Sequence, residues 1–205
     1  MSKLPVVGVL GTTGGVLLSE LGARPAMEKV GLNTGNLLFQ YSCSKNIKNP
    51  LLPFTLTEGL DVGFIRANID VLCIPAANQL NPEWDLQWWA KLVEDLDKPV
   101  VIVGLGAQAR IDQASSVVLK PGTVRFLDVI KHRATYIGVR GVNTLAVLER
   151  YGIENGRVTG CPSNFINPSV TGQSIQAKID LARENGAPVV NLLVGTLEDY
   201  SRETE

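Results

Sequence analysis

Apolar residues in this chain fall into two alternating kinds of run. The first kind is short, continuous and rich in β-branched residues: Val6-Val7-Gly8-Val9-Leu10, Asp70-Val71-Leu72-Cys73-Ile74-Pro75, Pro99-Val100-Val101-Ile102-Val103-Gly104, Thr135-Tyr136-Ile137-Gly138-Val139 and Val189-Val190-Asn191-Leu192-Leu193-Val194. Runs of this length, framed by Gly and Pro, predict strands buried on both faces. The second kind recurs at helical spacing: Trp84, Trp88, Leu92 and Leu96, then Val124, Leu127, Val129 and Ile130, then Val142, Leu145, Leu148 and Tyr151, with Gly152 as a stop. Strands alternating with helices predict an α/β, Rossmann-like fold, its mostly parallel sheet flanked by helices.

The rhythm breaks at about Asn164 to Gly172, where Asn, Pro, Ser and Gly suit a loop or an interdomain crossing. A helix over about Gln173 to Asn185 then leads through Gly186-Ala187-Pro188 to the fifth run and a charged tail. The expected organisation is an N-terminal Rossmann-like domain over residues 1–172, followed over 173–205 by a crossing helix and the start of a truncated second domain.

Charge and cysteine usage narrow the function classes. The 205 residues carry 19 Lys and Arg against 20 Asp and Glu, with no dense basic run, so nucleic acid is not expected as a partner. Cys43, Cys73 and Cys161 stand far apart in sequence, with no CxxC pair and only His132 to join them, which suggests neither a disulfide framework nor a metal site. The apolar stretch after Lys3 is interrupted by Gly14-Gly15 and ended by Ser19-Glu20, a poor secretory signal. No apolar run approaches the roughly 18–20 residues that span a bilayer. A cytoplasmic protein is expected, with any membrane association peripheral, at the inner face.

Doubly wound sheets bind ligands beyond the carboxyl ends of their strands, which directs attention to Gly11 to Gly15, Pro75 to Leu80, Gly104 to Arg110 and Arg140 to Thr144. Gly104-Leu105-Gly106-Ala107-Gln108-Ala109 has the G-x-G-x-x-A form. No periodic helix follows it, however, and no acidic residue ends a following strand, so a dinucleotide is not expected. Two readings remain: a turn whose backbone N–H groups, with Gln108, approach an anion, or tight packing alone. Asn33-Thr34-Gly35-Asn36 precedes an apolar helical start, so Asn36 or Thr34 is expected to cap that helix, with or without an anion at its free N–H groups.

Arg140 directly follows the fourth run and opens a helix. Its planar fork can grip a phosphate or carboxylate with two hydrogen bonds; the competing role is an ion pair with a neighbouring carboxylate. Arg110 and Arg157 are weaker candidates, as solvated surface groups. His132 is expected in the last turn of a helix, where the dipole favours a cation. Cys161, which follows another short β-like stretch, reads as a small buried residue, and the tryptophan stripe as core, with stacking on a sugar as its alternative.

Together, Asn33-Thr34-Gly35-Asn36, the Gly104-Leu105-Gly106 turn, Tyr136-Ile137-Gly138-Val139-Arg140-Gly141 and Gly160-Cys161-Pro162-Ser163-Asn164-Phe165 follow the order seen in polysaccharide pyruvyl transferases, a family this chain resembles over nearly its whole length. The resemblance implies one half of a GT-B-type two-domain transferase. It also implies transfer of a pyruvyl group from phosphoenolpyruvate to two hydroxyls of a glycan, as a cyclic ketal, with release of phosphate and with no cofactor or metal. Arg140 matches the family's arginine after that strand; Asn33, Gly35, Asn36, Gly104, Gly106 and Gln108 complete the expected substrate-binding set. Asn36 and Ser163 depart from the family, which commonly has aspartate there, a departure that points to a different acceptor. The arginine and histidine that complete the family's donor site belong to a second half with no counterpart here, so the catalytic groups are unassigned and this chain alone is expected to be inactive. Expected partners are phosphoenolpyruvate, a free or lipid-linked glycan, and a second copy of the chain. A non-catalytic ligand-binding or assembly module, and a glycosyltransferase using a nucleotide sugar, are the alternatives on the same fold.

Overall fold

The computed structural model describes residues 3–11, 22–30, 33, 35–108 and 117–186. The chain divides into a compact unit over Met1–Ile166 and a second over Asn167–Glu205. The first unit runs β1 (Val7–Leu10), α1 (Ala23–Lys29), α2 (Gly35–Asn46), β2 (Leu51–Phe54), α3 (Val62–Asn68), β3 (Val71–Pro75), α4 (Gln87–Leu96), β4 (Val100–Leu105), α5 (Pro121–Arg133), β5 (Ile137–Val139), α6 (Val142–Arg150), β6 (Gly156–Val158) and a 3-10 turn at Pro162–Phe165. In the second unit, α7 (Gly172–Glu184) opens with a reciprocal cap in which the Thr171 and Ser174 side chains each accept from the other's backbone N–H.

The strands form one sheet in the order β2-β1-β3-β4-β5-β6, every pair parallel. This is a Rossmann-like α/β arrangement. β1 lies between β2 and β3, so successive connections leave it in opposite directions, and the crevice of a doubly wound sheet falls at that reversal.

Register explains why the strands are apolar on both faces. Val7, Val9 and Cys73 share one face of the sheet and pack with Cys43 of α2 and with Ile47 just after it. On the other face Leu72, Ile74, Ile102 and Ile137 join buried residues of α3, α4, α5 and α6 in the main core. Burying a side chain of this size is worth about 1.5–3 kcal/mol, so sliding any central strand by one residue would exchange one packed set for another.

Four of the five expected strands are present as β1, β3, β4 and β5; the fifth, over 189–194, lies outside the described residues. β6 is the short β-like stretch expected before Cys161, β2 is additional, and both are edge strands. β2 contains Pro53, which an edge tolerates because its outer side needs no donor. Among the helices, Leu92 and Leu96 are buried as expected, but Trp84 and Trp88 are not: α4 begins only at Gln87, so Trp84 lies in the turn before it. Gly152 does follow α6 as its stop, at φ +71°.

Candidate functional site

The residues that set up a site stand where the strands end. Arg140 is the first residue after β5, and its backbone N–H donates to the carbonyl of Leu105 (2.8 Å) on the adjacent strand. From there Nε donates to the Gly104 carbonyl (2.9 Å), an Nη donates to Asn78 Oδ1 (3.3 Å), and Cζ lies 5.5 Å from the centroid of the Phe39 ring on α2. A guanidinium has five N–H donors in a fixed plane. With these contacts made, the remaining donors of Arg140 have no partner among the described residues, and no described carboxylate pairs with it. Among the described residues, then, the ion-pair role is not seen. They clamp the group on three sides and leave an edge of it unengaged.

The glycines beside it act by leaving room. Gly104 takes φ +71°, a conformation an L side chain rarely adopts, and the ladder between β4 and β5 shifts register between Ile102 and Leu105. A Cβ on Gly104 would lie 2.5 Å from Cδ of Pro162; one on Gly106 would lie 2.7 Å from Asn78 Oδ1 and 3.3 Å from Cδ of Arg140. The N–H groups of this turn are committed inside the protein. Gly106 donates to the Ala77 carbonyl (2.7 Å), Ala107 to Thr144 Oγ1 (3.0 Å) and Gln108 to the Leu80 carbonyl (3.0 Å). Of the two readings of the G-x-G turn, the geometry is that of close packing, not of an N–H cradle for an anion. The Gln108 side chain is likewise engaged, accepting from Asn81 Nδ2 (3.0 Å).

At the start of α2 the cap differs from expectation. Asn33 Oδ1 accepts from the N–H of Gly35 (2.8 Å) and the Asn33 carbonyl from that of Asn36 (3.0 Å). Asn36 instead turns its amide back to the Val30 carbonyl (2.8 Å), so it is not the cap; Thr34 lies outside the described residues. Phe39, four residues on from Gly35, is about 6 Å further along the helix axis at 1.5 Å per residue. It is Phe39, and not the first residues of α2, that touches Arg140.

The Gly160-Cys161-Pro162-Ser163-Asn164-Phe165 segment comes to the same place from β6. Ser42 Oγ donates to the Pro162 carbonyl (2.5 Å), Lys45 Nζ to that of Ile166 (3.0 Å) and Asn46 Nδ2 to that of Phe165 (3.1 Å). A shallow groove of about 390 Å³ runs between them, lined by Ser42, Cys43, Asn46, Ile47, Val103, Pro162 and Phe165. Three of the four short motifs singled out in the sequence thus meet at one edge of the sheet, and α2, the helix that the fourth opens, reaches them through Phe39 and Ser42. Asn78 and Phe39, which hold Arg140, carried no signal of their own, although the loop containing Asn78 did.

The other candidates separate from this edge. His132 is in the last turn of α5, exposed and 3.6 Å from Asp128, just before β5 begins and so at the opposite edge of the sheet. Arg157 stacks over Tyr136 (5.1 Å), and Arg110 lies outside the described residues. Cys43 and Cys73, distant in sequence, bring their sulfurs to 3.7 Å as buried free thiols, and the contact together with burial pushes the Cys73 thiol well up. Among the described residues no group of His, Cys, Asp and Glu could hold a metal ion, and no helix is long and apolar enough to cross a membrane. A second cavity of about 450 Å³ lies along α5, but its charged lining is already paired, Arg125 with Glu94 and Asp128 with His132.

A family model described as polysaccharide pyruvyl transferase matches residues 22–203. No curated protein and no solved structure matches the chain. The family match spans all four motifs, and by its extent the chain belongs to the polysaccharide pyruvyl transferase family.

Proposed function

We propose that the edge built around Arg140 binds phosphoenolpyruvate, as donor for transfer of a pyruvyl group to two hydroxyls of a glycan. The observation that carries this reading is the seating of Arg140: a guanidinium held by the Gly104 carbonyl, Asn78 and the Phe39 ring, with its remaining donors unengaged by described residues. A small ligand bearing a phosphate and a carboxylate is matched by a planar cation fixed before the ligand arrives, because little ordering is left to do on binding.

In the transfer, C3 of the donor gains a proton and becomes a methyl group. Two C2–O bonds form to the sugar, and the C2–O bond to phosphate breaks. One hydroxyl proton balances the proton added at C3; the other leaves with phosphate. Arg140 would neutralise charge on the donor and hold its orientation. The proton donor is not His132, which lies at the other end of α5.

Calorimetric titration of the chain with phosphoenolpyruvate tests the reading. Saturable binding is expected, with no comparable heat from a nucleotide sugar such as uridine diphosphate glucose. Removing a hydrogen-bonded charge contact of this kind costs about 2–4 kcal/mol, so Arg140→Ala should weaken binding at least ~30-fold. Arg140→Lys should fall between, since an ammonium cannot hold both the Gly104 carbonyl and a two-point anion contact. Equal affinity of the Arg140→Ala variant and the parent chain would end the proposal. Phosphate release on mixing donor with candidate glycans then tests turnover.

A further inference from the structure

Two cysteines meet in the fold although nothing in their spacing prepares for it. Cys43 of α2 and Cys73 of β3 are 30 residues apart in sequence, and their sulfurs stand 3.7 Å from each other as free thiols. Among the described residues each is the other's only hydrogen-bond partner. Val7 and Val9, packed beside them on this face of the sheet, bring no polar side-chain atom. A buried thiol commonly serves as a small apolar group, and packing alone is the competing account of the contact.

Two features separate this pair from simple packing. The first is one-sided access. Cys43 forms part of the wall of the groove of about 390 Å³, with Ser42, Asn46 and Pro162, whereas Cys73 is not in that wall and lies in a central strand between β1 and β4. A small solute in the groove meets one sulfur before the other. The second is polarity. The hydrogen bond from Cys73 holds the Cys43 thiol below its ordinary value in spite of burial, while the same bond and its own burial push the Cys73 thiol up. The thiolate is the nucleophilic form, so the sulfur that faces the groove is the one prepared to react. Closing 3.7 Å to the roughly 2.05 Å of an S–S bond asks each side chain to move by only ~0.8 Å.

We propose that Cys43 and Cys73 form an oxidation site, where a small two-electron oxidant of the peroxide class enters the groove and converts the two thiols to a disulfide that staples α2 to the sheet. Cys43 Sγ attacks a peroxide oxygen: an S–O bond forms, the O–O bond breaks, and the departing hydroxide takes the thiol proton as water. Cys73 Sγ then attacks the Cys43 sulfur: the S–S bond forms, the S–O bond breaks, and the second hydroxide leaves as water with the Cys73 proton. Both sulfurs are oxidised by one electron and the peroxide is reduced by two. The stapled helix is the one whose Phe39 and Ser42 reach Arg140 and Pro162, and this chemistry is independent of what Arg140 binds.

Peptide mapping of the whole chain tests the site without any substitution. Reduced protein is freed of reductant, treated with hydrogen peroxide under native conditions, alkylated in denaturant and digested with trypsin without reduction. Lys45, Lys48 and Arg66 lie between the two cysteines, so they fall on separate peptides. A Cys43–Cys73 linked pair is expected, lost on adding dithiothreitol and still formed in Cys161→Ser. In Cys73→Ser the resolving thiol is gone, so dimedone should trap a sulfenic acid at Cys43; in Cys43→Ser it should leave Cys73 unlabelled. The bridge closes a loop of 30 residues in the unfolded chain, so the urea midpoint of the oxidised protein should rise by roughly 1 M.

No linked pair at any peroxide concentration that leaves the circular dichroism native would overturn the inference and return the contact to packing alone. Linkage of either thiol to Cys161 instead, or linkage that appears only when urea is present, would overturn it as well. A bridge that leaves the urea midpoint unmoved or lowers it would reject the staple.

Discussion

Replacing Gly104 with alanine should damage the protein more than its one added carbon suggests, and by an amount that separates into two parts. The first is conformational. Gly104 has φ +71°, and holding an L residue in that region costs roughly 1–2 kcal/mol. The second is steric. The new Cβ would stand 2.5 Å from Cδ and 3.1 Å from Cγ of Pro162, where carbon atoms ordinarily settle at about 3.5–4.0 Å. Pro162 is buried and its ring cannot rotate away, so the clash resembles overpacking of a core, at about 1–3 kcal/mol. Together these give roughly 2–5 kcal/mol, or a fall in Tm of roughly 5–20 °C for a chain of this size.

Two other glycines isolate the first part. Gly59 (φ +83°) has nothing within 4 Å of an added Cβ, and Gly152 (φ +71°) has only the end of Lys131 at 4.0 Å. Their alanine variants carry the strain without the clash, and each should lose only about 1–2 kcal/mol. Urea unfolding of the three variants, with Gly104→Ala/Pro162→Ala as a fourth, makes the comparison. The double variant should recover part of the loss. If Gly104→Ala proves no less stable than Gly59→Ala, the close approach of Pro162 to the bulge is not a real constraint, and the steric account of this turn is wrong.

Thr144→Val should destabilise by about 1–3 kcal/mol, because Thr144 Oγ1 accepts the N–H of Ala107 at a buried position; Thr144→Ser should come close to the parent in the same urea titration. Asp97 lies between Arg133 (2.6 Å) and Arg66 (3.6 Å), and the hydrogen bond and charge of Arg133 hold its carboxyl below its ordinary value. A carboxyl lowered on folding contributes stability that is present above its ordinary pKa and is lost as pH falls through the folded value, so Asp97→Asn should flatten the decline in unfolding midpoint below about pH 4; an unchanged decline would discount this pair of contacts. Of the three thiols, only half-buried Cys161 should react promptly with Ellman's reagent in the native protein, Cys43 and Cys73 being buried against each other; all three should react in denaturant, and Cys161→Ser should remove the fast phase.

Strands buried on both faces leave a mark that survives without any partner sequence, which is why β1, β3, β4 and β5 were legible and the parallel α/β class followed. β2 carries Pro53 and only one interior pairing, β6 exposes Arg157 and Val158, and neither edge strand needs an apolar run. The tryptophan stripe misled because periodicity was counted through the start of a helix: four-residue spacing places Trp84 on a face only if it belongs to α4, and it does not. Arg140 was legible from its place directly after a strand. Asn78 was not, since one asparagine in a loop looks like any other until the sheet order sets the end of β3 beside β4. The contact of Cys43 with Cys73 depends likewise on α2 lying over β3, which spacing along the chain cannot reveal.

The motifs are individually weak, yet the contacts of three of them close into a ring through α2, the helix that the fourth opens. Arg140 bonds the Gly104 carbonyl, Gly104 makes room for Pro162, the Pro162 carbonyl accepts from Ser42 of α2, and α2 returns Phe39 to the guanidinium. In such a ring a substitution acts on Arg140 even where it does not touch it, because the helix that supports one side of the guanidinium is positioned by the proline that packs against the other. Ser42→Ala and Phe39→Leu provide the test, since one cuts the ring at Pro162 and the other at Arg140. Independent sites add to within about 0.3–0.5 kcal/mol, whereas members of one network show coupling of about 0.5–3 kcal/mol. Phosphoenolpyruvate affinity measured for both single variants and the double should therefore be non-additive by at least ~0.5 kcal/mol, the second substitution costing less once the first has loosened α2. Strict additivity would mean that Phe39 and Pro162 support Arg140 separately, and that the meeting of the motifs is shared location without shared mechanics.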